Sequence, residues 1–217
     1  MKYVRKKRGE PKIFRDWKAL EGEEWQPAWI DLRAPEKPEL HKALVQEQGA
    51  VCCYCGRQIS TADSHIEHFR PKSGTCGYPE LALDYTNLLA SCQSNEGKRV
   101  PKVCGHAKGN WFDESHHVDP QDPECEQRFR FKSQGHVEAQ PHDDPAATMV
   151  EMLNLNEPFL IDMRREILDG AFPNAVLDAE GDATLIDIAN AYGQADDQGR
   201  LPEMGHVVRR WLENFLN

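Results

Sequence analysis

The chain has 217 residues, a formal net charge of -10 and seven cysteines. This length suits one elaborated domain or a compact core with an appendage, and the negative charge argues against a protein that coats nucleic acid through bulk electrostatics. No apolar run approaches the roughly 20 residues of a membrane span, and the basic N-terminus lacks the apolar segment of a secretory signal. We therefore expect a cytoplasmic protein without a membrane partner, whose clustered cysteines are metal ligands rather than disulfides.

The first segment, residues 1–38, combines a basic arm with short helical pieces. The arm carries the basic residues Lys2, Arg5, Lys6, Lys7, Arg8 and Lys12. Ile13, Trp17 and Leu20 follow with helical spacing. The arm is expected to hold phosphates or to dock on an acidic partner, and the alternative is a solvated tail.

The second segment, residues 39–135, contains the candidate catalytic and metal-binding residues. Its apolar spacing predicts an amphipathic helix from residue 39 to about residue 48, where Gly49 ends it. All seven cysteines lie between Cys52 and Cys125. The candidate site is therefore expected within this core.

The third segment, residues 136–217, is predicted to be a helical extension. Just before it, residues 128–131 alternate like a strand, and Val137 is expected on its hairpin partner across Gly135. Four helical patterns follow, beginning near Pro145, Pro158, Leu185 and Pro202. No motif in this extension indicates chemistry of its own.

The first chemical motif is Cys52-x-x-Cys55, followed directly by Gly56. Such a tight turn lets two thiolates face one metal ion, and zinc takes four ligands of this kind in a tetrahedron. The alternative function of this motif is a redox dithiol. Because no alternation of strands and helices surrounds it, a zinc site is favoured.

Two further cysteines are needed to complete a zinc knuckle. The candidates are Cys76, Cys92, Cys104 and Cys125. A pair formed by Cys92 and Cys104 leaves the polar, basic segment 93–103 between them, and such a segment can bulge from a core. We assign the zinc to Cys52, Cys55, Cys92 and Cys104, as a structural ion because four thiolates leave no open position for water.

The second chemical motif lies at residues 65–72, where Glu67 and His68 are adjacent. On an extended strand their side chains point to opposite faces, so one can hold a metal ion while the other reaches a water molecule. Phosphodiester hydrolysis uses this division, with a divalent ion that stabilises developing charge and a neutral imidazole that takes a proton. Arg70 and Lys72 are candidates for binding phosphate, hence nucleic acid. His65 shares the face of Glu67 and is either a further ligand or a plain hairpin histidine.

Three patterns in chain order resemble a known family. They are Cys-x-Tyr-Cys-Gly at 52–56, Ile-Glu-His-Phe-Arg-Pro-Lys-Ser at 66–73 and Tyr-Thr-Asn-Leu-Leu-x-Ser-Cys at 85–92. Together they resemble the HNH endonucleases, and more narrowly the HNH subunits of retron-associated and Septu-type anti-phage systems. The strings Cys-Gly-His-x-Lys-Gly-Asn at 104–110 and Leu-Asn-Leu-Asn at 153–156 are similar to that subgroup as well.

The resemblance implies an α+β protein with a ββα-metal core, in which a hairpin and a helix grip one catalytic divalent ion, Mg²⁺ or Mn²⁺. His68 matches the general base, and Glu67 stands at a metal-ligand position. Asn87 matches the central asparagine, which orients the base through a hydrogen bond. The usual spacing after it lands on Glu96, but if segment 93–103 is an insertion the third position moves to His106, which we favour as catalytic residue and ligand.

The resulting hypothesis is an HNH endonuclease that cleaves DNA or RNA, with an ABC-type ATPase partner implied by the defence subgroup. A zinc-knuckle module that binds nucleic acid or protein without turnover is the alternative. A redox protein that uses Cys52 and Cys55 is a third.

Overall fold

The computed structural model describes residues 1–6, 9–93, 101–173 and 181–216. Within them the protein combines helices with two short antiparallel strand pairs, which confirms the predicted α+β class. The helices are α1 (Lys12–Lys18), α2 (Glu36–Glu47), α3 (Cys104–Lys108), α4 (Asp144–Met152), α5 (Pro158–Ala171), α6 (Asp182–Ala191) and α7 (Gly205–Leu216). The strands are β1 (Ser64–His68), β2 (Leu88–Cys92), β3 (Phe129–Phe131) and β4 (Val137–Ala139).

The β1–β2 pair is the sheet that carries the candidate site. Its register places Glu67 opposite Leu89 and His68 opposite Leu88. All five residues of β2 are buried, as expected for a continuous apolar strand covered on both faces. Helices α2 and α3 both contact β2. The polar residues of β1 are therefore held on a strand whose partner lies in the core.

Gln48, which caps the C-terminus of α2, fixes this helix to the sheet. Its buried side-chain amide donates to the main-chain oxygens of Val51 at 2.9 Å and Ala90 at 2.8 Å, and it accepts from the Ala90 amide at 2.7 Å. The Cys53 amide donates to the same Ala90 oxygen at 3.2 Å. One amide side chain thus aligns α2, β2 and the cysteine-bearing turn.

The N-terminal residues lie against this core rather than forming a solvated tail. Val4 is buried, and its amide donates to the Pro120 oxygen at 2.7 Å. The Lys6 ammonium donates to the Leu88 oxygen at 2.6 Å and lies 3.2 Å from a Glu47 carboxylate oxygen. The described basic side chains of the arm are therefore partly used within the fold, whereas Lys7 and Arg8 lie outside the described residues.

Most predicted elements are confirmed, with shifted boundaries. Helix α2 begins at Glu36, three residues before the predicted start, because Pro38 sits in the first turn, where a helix does not need its missing N–H. The predicted hairpin pairs Phe131 with Val137. Helices α4 to α7 follow in the predicted order, although α7 begins at Gly205 rather than near Pro202.

Buried side chains from all three predicted segments, such as Phe14, Leu89 and Leu160, belong to one hydrophobic cluster. The boundaries at 38/39 and 135/136 stay predictions. In the described ranges, no helix has both the length and the apolar character needed to cross a bilayer.

Replacement of Gln48 by alanine is expected to destabilise the protein by about 2–4 kcal/mol, because main-chain groups of Val51 and Ala90 lose buried partners. Chemical denaturation followed by circular dichroism measures this change. Gln46→Ala is the matched control, because Gln46 is exposed near the end of the same helix. Equal stability of the two variants would contradict the role given to Gln48.

Candidate functional site

Four buried cysteines form a compact cluster beside the β1–β2 sheet. The Sγ atoms of Cys52, Cys55, Cys92 and Cys104 all lie within 4.8 Å of one another. The Sγ atoms of Cys55 and Cys92 are 3.8 Å apart. This distance matches the edge of a tetrahedron whose corners lie about 2.3 Å from a central zinc ion, and it greatly exceeds a disulfide of about 2.05 Å. The four cysteines can therefore hold a metal ion such as zinc.

The remaining cysteines lie outside this cluster. Cys76 is exposed, whereas Cys53 and Cys125 are buried elsewhere. Among the described residues, no other group of three or more Cys, His, Asp or Glu side chains brings its ligand atoms equally close. The sequence-based choice of Cys92 and Cys104 as the second pair therefore agrees with the geometry.

The turn between the first two cysteines requires glycine at position 56. Gly56 has φ +74°, and its amide donates to the Cys52 oxygen at 3.0 Å. A Cβ atom at this position would lie 2.4 Å from Cε1 of His206 on α7. The amide of Cys92 donates to Cys52 Sγ at 3.3 Å, so the strand β2 also holds the first thiol in place.

The short helix α3 connects this cluster to β1. Its first residue, Cys104, belongs to the cluster and has φ +53°, an uncommon conformation for a residue with a side chain. The Gly105 amide donates to Ser91 Oγ at 3.1 Å. A Cβ atom on Gly105 would lie 2.4 Å from Glu67 Oε2 and 2.7 Å from His65 Nε2. Only glycine lets α3 approach the two side chains of β1 so closely.

Glu67 is ionised although it is buried. Its Oε1 lies 2.8 Å from the Lys108 ammonium and accepts a hydrogen bond from Tyr54 at 3.0 Å. Burial alone would raise the pKa of Glu67, but the charges of Lys108 and His65 outweigh that effect and hold the pKa below its usual value. The carboxylate is thus kept negative within the core.

His68, the last residue of β1, is held in the neutral form. Its Nε2 lies 3.1 Å from the Ala82 main-chain oxygen. Because a carbonyl oxygen only accepts, Nε2 carries the proton and Nδ1 carries the lone pair. Burial and the nearby Lys72 lower the pKa of His68 to about 4. At neutral pH the ring can therefore accept a proton at Nδ1.

His65 and His106 share one acceptor at the end of β2. His65 Nδ1 lies 2.7 Å, and His106 Nε2 lies 3.1 Å, from the Gln93 main-chain oxygen. Both nitrogens therefore carry protons, and in a neutral ring His65 Nε2 presents its lone pair to Glu67 Oε2 at 3.4 Å. Burial lowers the pKa of His65, but interaction with the Glu67 carboxylate raises it above its usual value overall. Two acceptors at this distance require a proton or a cation beside them.

Asn87 acts on the main chain next to His68 rather than on its ring. Its amide accepts from the Arg70 amide at 2.7 Å and donates to the oxygens of Arg70 at 2.9 Å and Leu81 at 3.1 Å. The His68 ring instead bonds to Ala82. Instead of the expected hydrogen bond to the His68 ring, the Asn87 side chain forms hydrogen bonds that fix the main chain of the loop after β1.

The two predicted phosphate-binding residues lie in different surroundings. Arg70 donates to a Glu114 carboxylate oxygen at 3.2 Å and lies over the ring of Phe112, with 5.3 Å from Cζ to the centroid. Lys72 lines the same cleft as His68. The structure therefore brings Lys72, but not Arg70, into the cleft lined by Glu67 and His68.

A cleft of about 1040 Å³ brings five of the predicted residues together, but not Asn87 or Arg70. Its lining includes Glu67, His68, Lys72, His65 and His106. The alternative third position, Glu96, lies outside the described residues.

Two residues near Glu67 and His68 had no role in the sequence-based hypothesis. Lys108 is buried, and its ammonium donates to the His68 oxygen at 3.0 Å besides pairing with Glu67. Its spacing of four from Cys104 was the available signal, since it places both residues on one helix face. Trp29 packs edge-on against His68 with 4.3 Å between ring centroids, and no local pattern indicates that contact.

Sequence comparison identifies known proteins to which this chain is similar. No protein-family model matches the chain. It is 31% identical over 119 residues to the "retron Vc95 putative HNH endonuclease" of Vibrio cholerae serotype O1 biovar El Tor, covering 52% of this chain and 55% of that protein. It is 34% identical over 65 residues to the Septu protein PtuB of Bacillus thuringiensis, covering 29% of this chain and 24% of that protein.

The matched regions thus span about half of the retron relative and a quarter of the Septu relative. Both names agree with the resemblance drawn from the motifs between residues 52 and 110. The recognition of an HNH-like chain, similar to proteins of the retron and Septu type, is confirmed.

Proposed function

We propose that the protein is a metal-dependent HNH endonuclease that hydrolyses phosphodiester bonds in nucleic acid. The observation that carries this proposal is the pairing, on consecutive residues, of an ionised Glu67 and a neutral His68 in one cleft. These are the protonation states that metal binding and general-base chemistry need. In this proposal β1, β2 and α3 form the ββα-metal core.

The side chains around Glu67 fit a catalytic divalent ion, Mg²⁺ or Mn²⁺. Glu67 Oε2 and the lone pair of His65 Nε2 face each other at 3.4 Å, a separation that ligands of one ion can adopt. The missing side chain of Gly105 lets α3 pack directly against both atoms, so the helix borders the proposed ion site. Glu67 and His65 would hold the ion, and His106 would join them after a side-chain movement, because the three ligand atoms are not as close together as those of the cysteine cluster. The ion would stabilise the charge that develops on the phosphate.

The chain's own residues perform the remaining tasks. His68 takes a proton from the attacking water at Nδ1, while the Ala82 oxygen fixes the ring through Nε2. Asn87 holds the loop at Arg70, which keeps the end of β1 in place. Lys108 positions the Glu67 carboxylate and the His68 main chain together.

The cysteine cluster is proposed to hold a structural zinc ion. Four thiolates would complete the tetrahedron and leave no position for water. Cys52 and Cys55 are buried, which also argues against redox exchange with a partner thiol.

The zinc proposal predicts about one zinc ion per purified chain, measured by elemental analysis. Cys92→Ser is expected to lose the zinc and most of the stability, because metal binding and folding of such sites are coupled. Cys125→Ser is the matched control, since Cys125 is equally buried but lies outside the cluster. Full zinc content in Cys92→Ser would refute the assignment.

His68→Ala is expected to reduce cleavage by roughly 10²- to 10⁴-fold, because the general base is lost. The assay incubates each protein with plasmid DNA, single-stranded DNA and structured RNA in the presence of Mg²⁺ or Mn²⁺. His136→Ala is the control, because His136 is an exposed histidine in the β3–β4 turn, away from the cleft lining. Undiminished cleavage by His68→Ala would favour a different catalytic group, and zinc binding without cleavage by any preparation would favour the silent binding module.

Lys108→Met is expected to lower the cleavage rate by roughly 10- to 100-fold, the usual effect of losing a group that orients a metal ligand. Single-turnover cleavage and thermal melting are measured on the same preparation. Lys102→Met serves as the control, since Lys102 is exposed just before the same helix. A folded Lys108→Met protein with the parent rate would show that Lys108 does not position Glu67.

The proposal extends to the biological setting. The names of the two relatives support a role in a retron- or Septu-type defence system, for which the family resemblance implies an ABC-type ATPase partner. The cytoplasmic location expected from the cysteines remains part of the same prediction. Co-purification with such an ATPase tests the partner separately from the cleavage assay.

A further inference from the structure

The catalytic cleft has a basic wall formed by α2 and the residues just before it. Arg33, Lys37 and Lys42 line the same cleft as His68. The Lys37 amide donates to the Arg33 oxygen at 2.8 Å, so the residues just before α2 are fixed to its first turn. Lys72 lines the cleft from the loop after β1. These four side chains border the path to the catalytic pair.

None of these four cations forms an ion pair with a carboxylate in the described part of the chain. Elsewhere, basic side chains are used internally, as in Lys2 with Glu126 at 2.7 Å and Lys18 with Glu10 at 2.6 Å. The cleft wall is therefore a place where basic side chains keep their charge available to a ligand.

The charge balance of the cleft favours a polyanion. Its lining contains four cations but only two carboxylates, Glu39 and Glu67. Glu67 is already paired with Lys108. A locally positive cleft on a chain of net charge -10 concentrates phosphate binding at one place, since the rest of the surface repels it.

Trp29 gives this wall an aromatic surface beside the reacting group. The residue is half-buried and lines the cleft. The ammonium groups of Lys37 and Lys72 lie 5.1 Å and 5.5 Å from the Trp29 ring centroid, and the His68 ring is 4.3 Å away. Both ammonium groups lie over the ring, so a nucleobase that stacks on Trp29 replaces them there, and the displaced lysine side chains neutralise its phosphates.

We infer that the cleft binds a locally single-stranded stretch of nucleic acid, with one base stacked on Trp29 and the sugar-phosphate backbone along Arg33, Lys37 and Lys42. This inference rests on the proposed nuclease function and names its substrate class. A base inside a duplex is stacked on its neighbours and cannot use the Trp29 face, whereas an unpaired base can. The stacked base lies next to His68, so the phosphate attached to its nucleotide lies beside Glu67 and His68.

Binding, not cleavage, tests the inference. The parent for this experiment is the His68→Ala protein, and fluorescence anisotropy measures its affinity for labelled single-stranded DNA, single-stranded RNA and a blunt DNA duplex as a function of salt. Single strands are expected to bind at least 10-fold more tightly than the duplex. The DNA and RNA arms identify which single strand the cleft prefers.

Charge removal tests the α2 wall. Lys37→Gln with Lys42→Gln is expected to weaken single-strand binding and to reduce the salt slope by about 1.4, because about 0.7 is lost per phosphate contact. The control combines Arg130→Gln with Lys132→Gln, which removes two positive charges from β3 and its turn, away from the cleft lining. A control that weakens binding as much as the test pair would overturn the inference.

Ring removal tests the stacking platform. Trp29→Ala is expected to weaken single-strand binding by roughly 5- to 150-fold, whereas Trp29→Phe retains most of it and duplex binding changes little. Thermal melting checks the fold, and the phenylalanine variant keeps the test valid if the alanine variant is unstable. Three results would each overturn the inference. The first is an equal loss of affinity for single strand and duplex, and the second is a Trp29→Phe variant that binds single strands as weakly as Trp29→Ala. The third is tighter binding of the duplex than of single strands by the parent. Cleavage by the unmodified protein, assayed separately, would then still support the nuclease function.

Discussion

The proposed catalytic pair, Glu67 and His68, depends on one constraint, which is the attachment of the short helix α3 to both the cysteine cluster and β1. Cys104 starts the helix inside the cluster, and Lys108 ends it with its ammonium on Glu67. The helix rises about 1.5 Å per residue, so the two contacts are separated by only about 6 Å along its axis. Gly105 presses against Glu67 and His65 between them. A structural metal ion in the cluster would therefore fix the positions of Glu67 and His65, the proposed ligands of the catalytic ion.

Different neighbours give adjacent residues opposite ionisation behaviour. Glu67 faces Lys108 and Tyr54, which stabilise its negative charge inside the core. His68 points to Trp29 and Ala82, where burial favours the neutral ring. A buried charge is costly unless it is paired and hydrogen-bonded, so the Lys108 interaction is what allows a carboxylate to remain at this place. Because successive side chains of a strand point to opposite faces, the adjacent residues Glu67 and His68 lie in different environments.

Sequence patterns predicted those features of the fold and of the candidate site that depend on residues close together in the chain. Adjacent Glu67 and His68 and the Cys52–Cys55 turn are local, and the predicted hairpin and helices also depend on nearby spacing. Helical spacing places Lys108 on the same face as Cys104, but no local pattern encodes its contact with His68, 40 residues away. Asn87 could be identified by resemblance, but its bonding to the Arg70 main chain depends on how the loop after β1 folds back. The cationic wall on α2 was likewise hidden, because helical spacing does not reveal which face borders a cleft.

Anomalous X-ray diffraction from crystals grown with Mn²⁺ tests the central claim most directly. Data collected at the zinc and manganese absorption edges locate each metal without assuming its ligands. The account predicts that zinc would be held by the Sγ atoms of Cys52, Cys55, Cys92 and Cys104, and that manganese would be held by Glu67 and His65. An empty cysteine cluster, or manganese bound only at surface carboxylates away from Glu67, would contradict it.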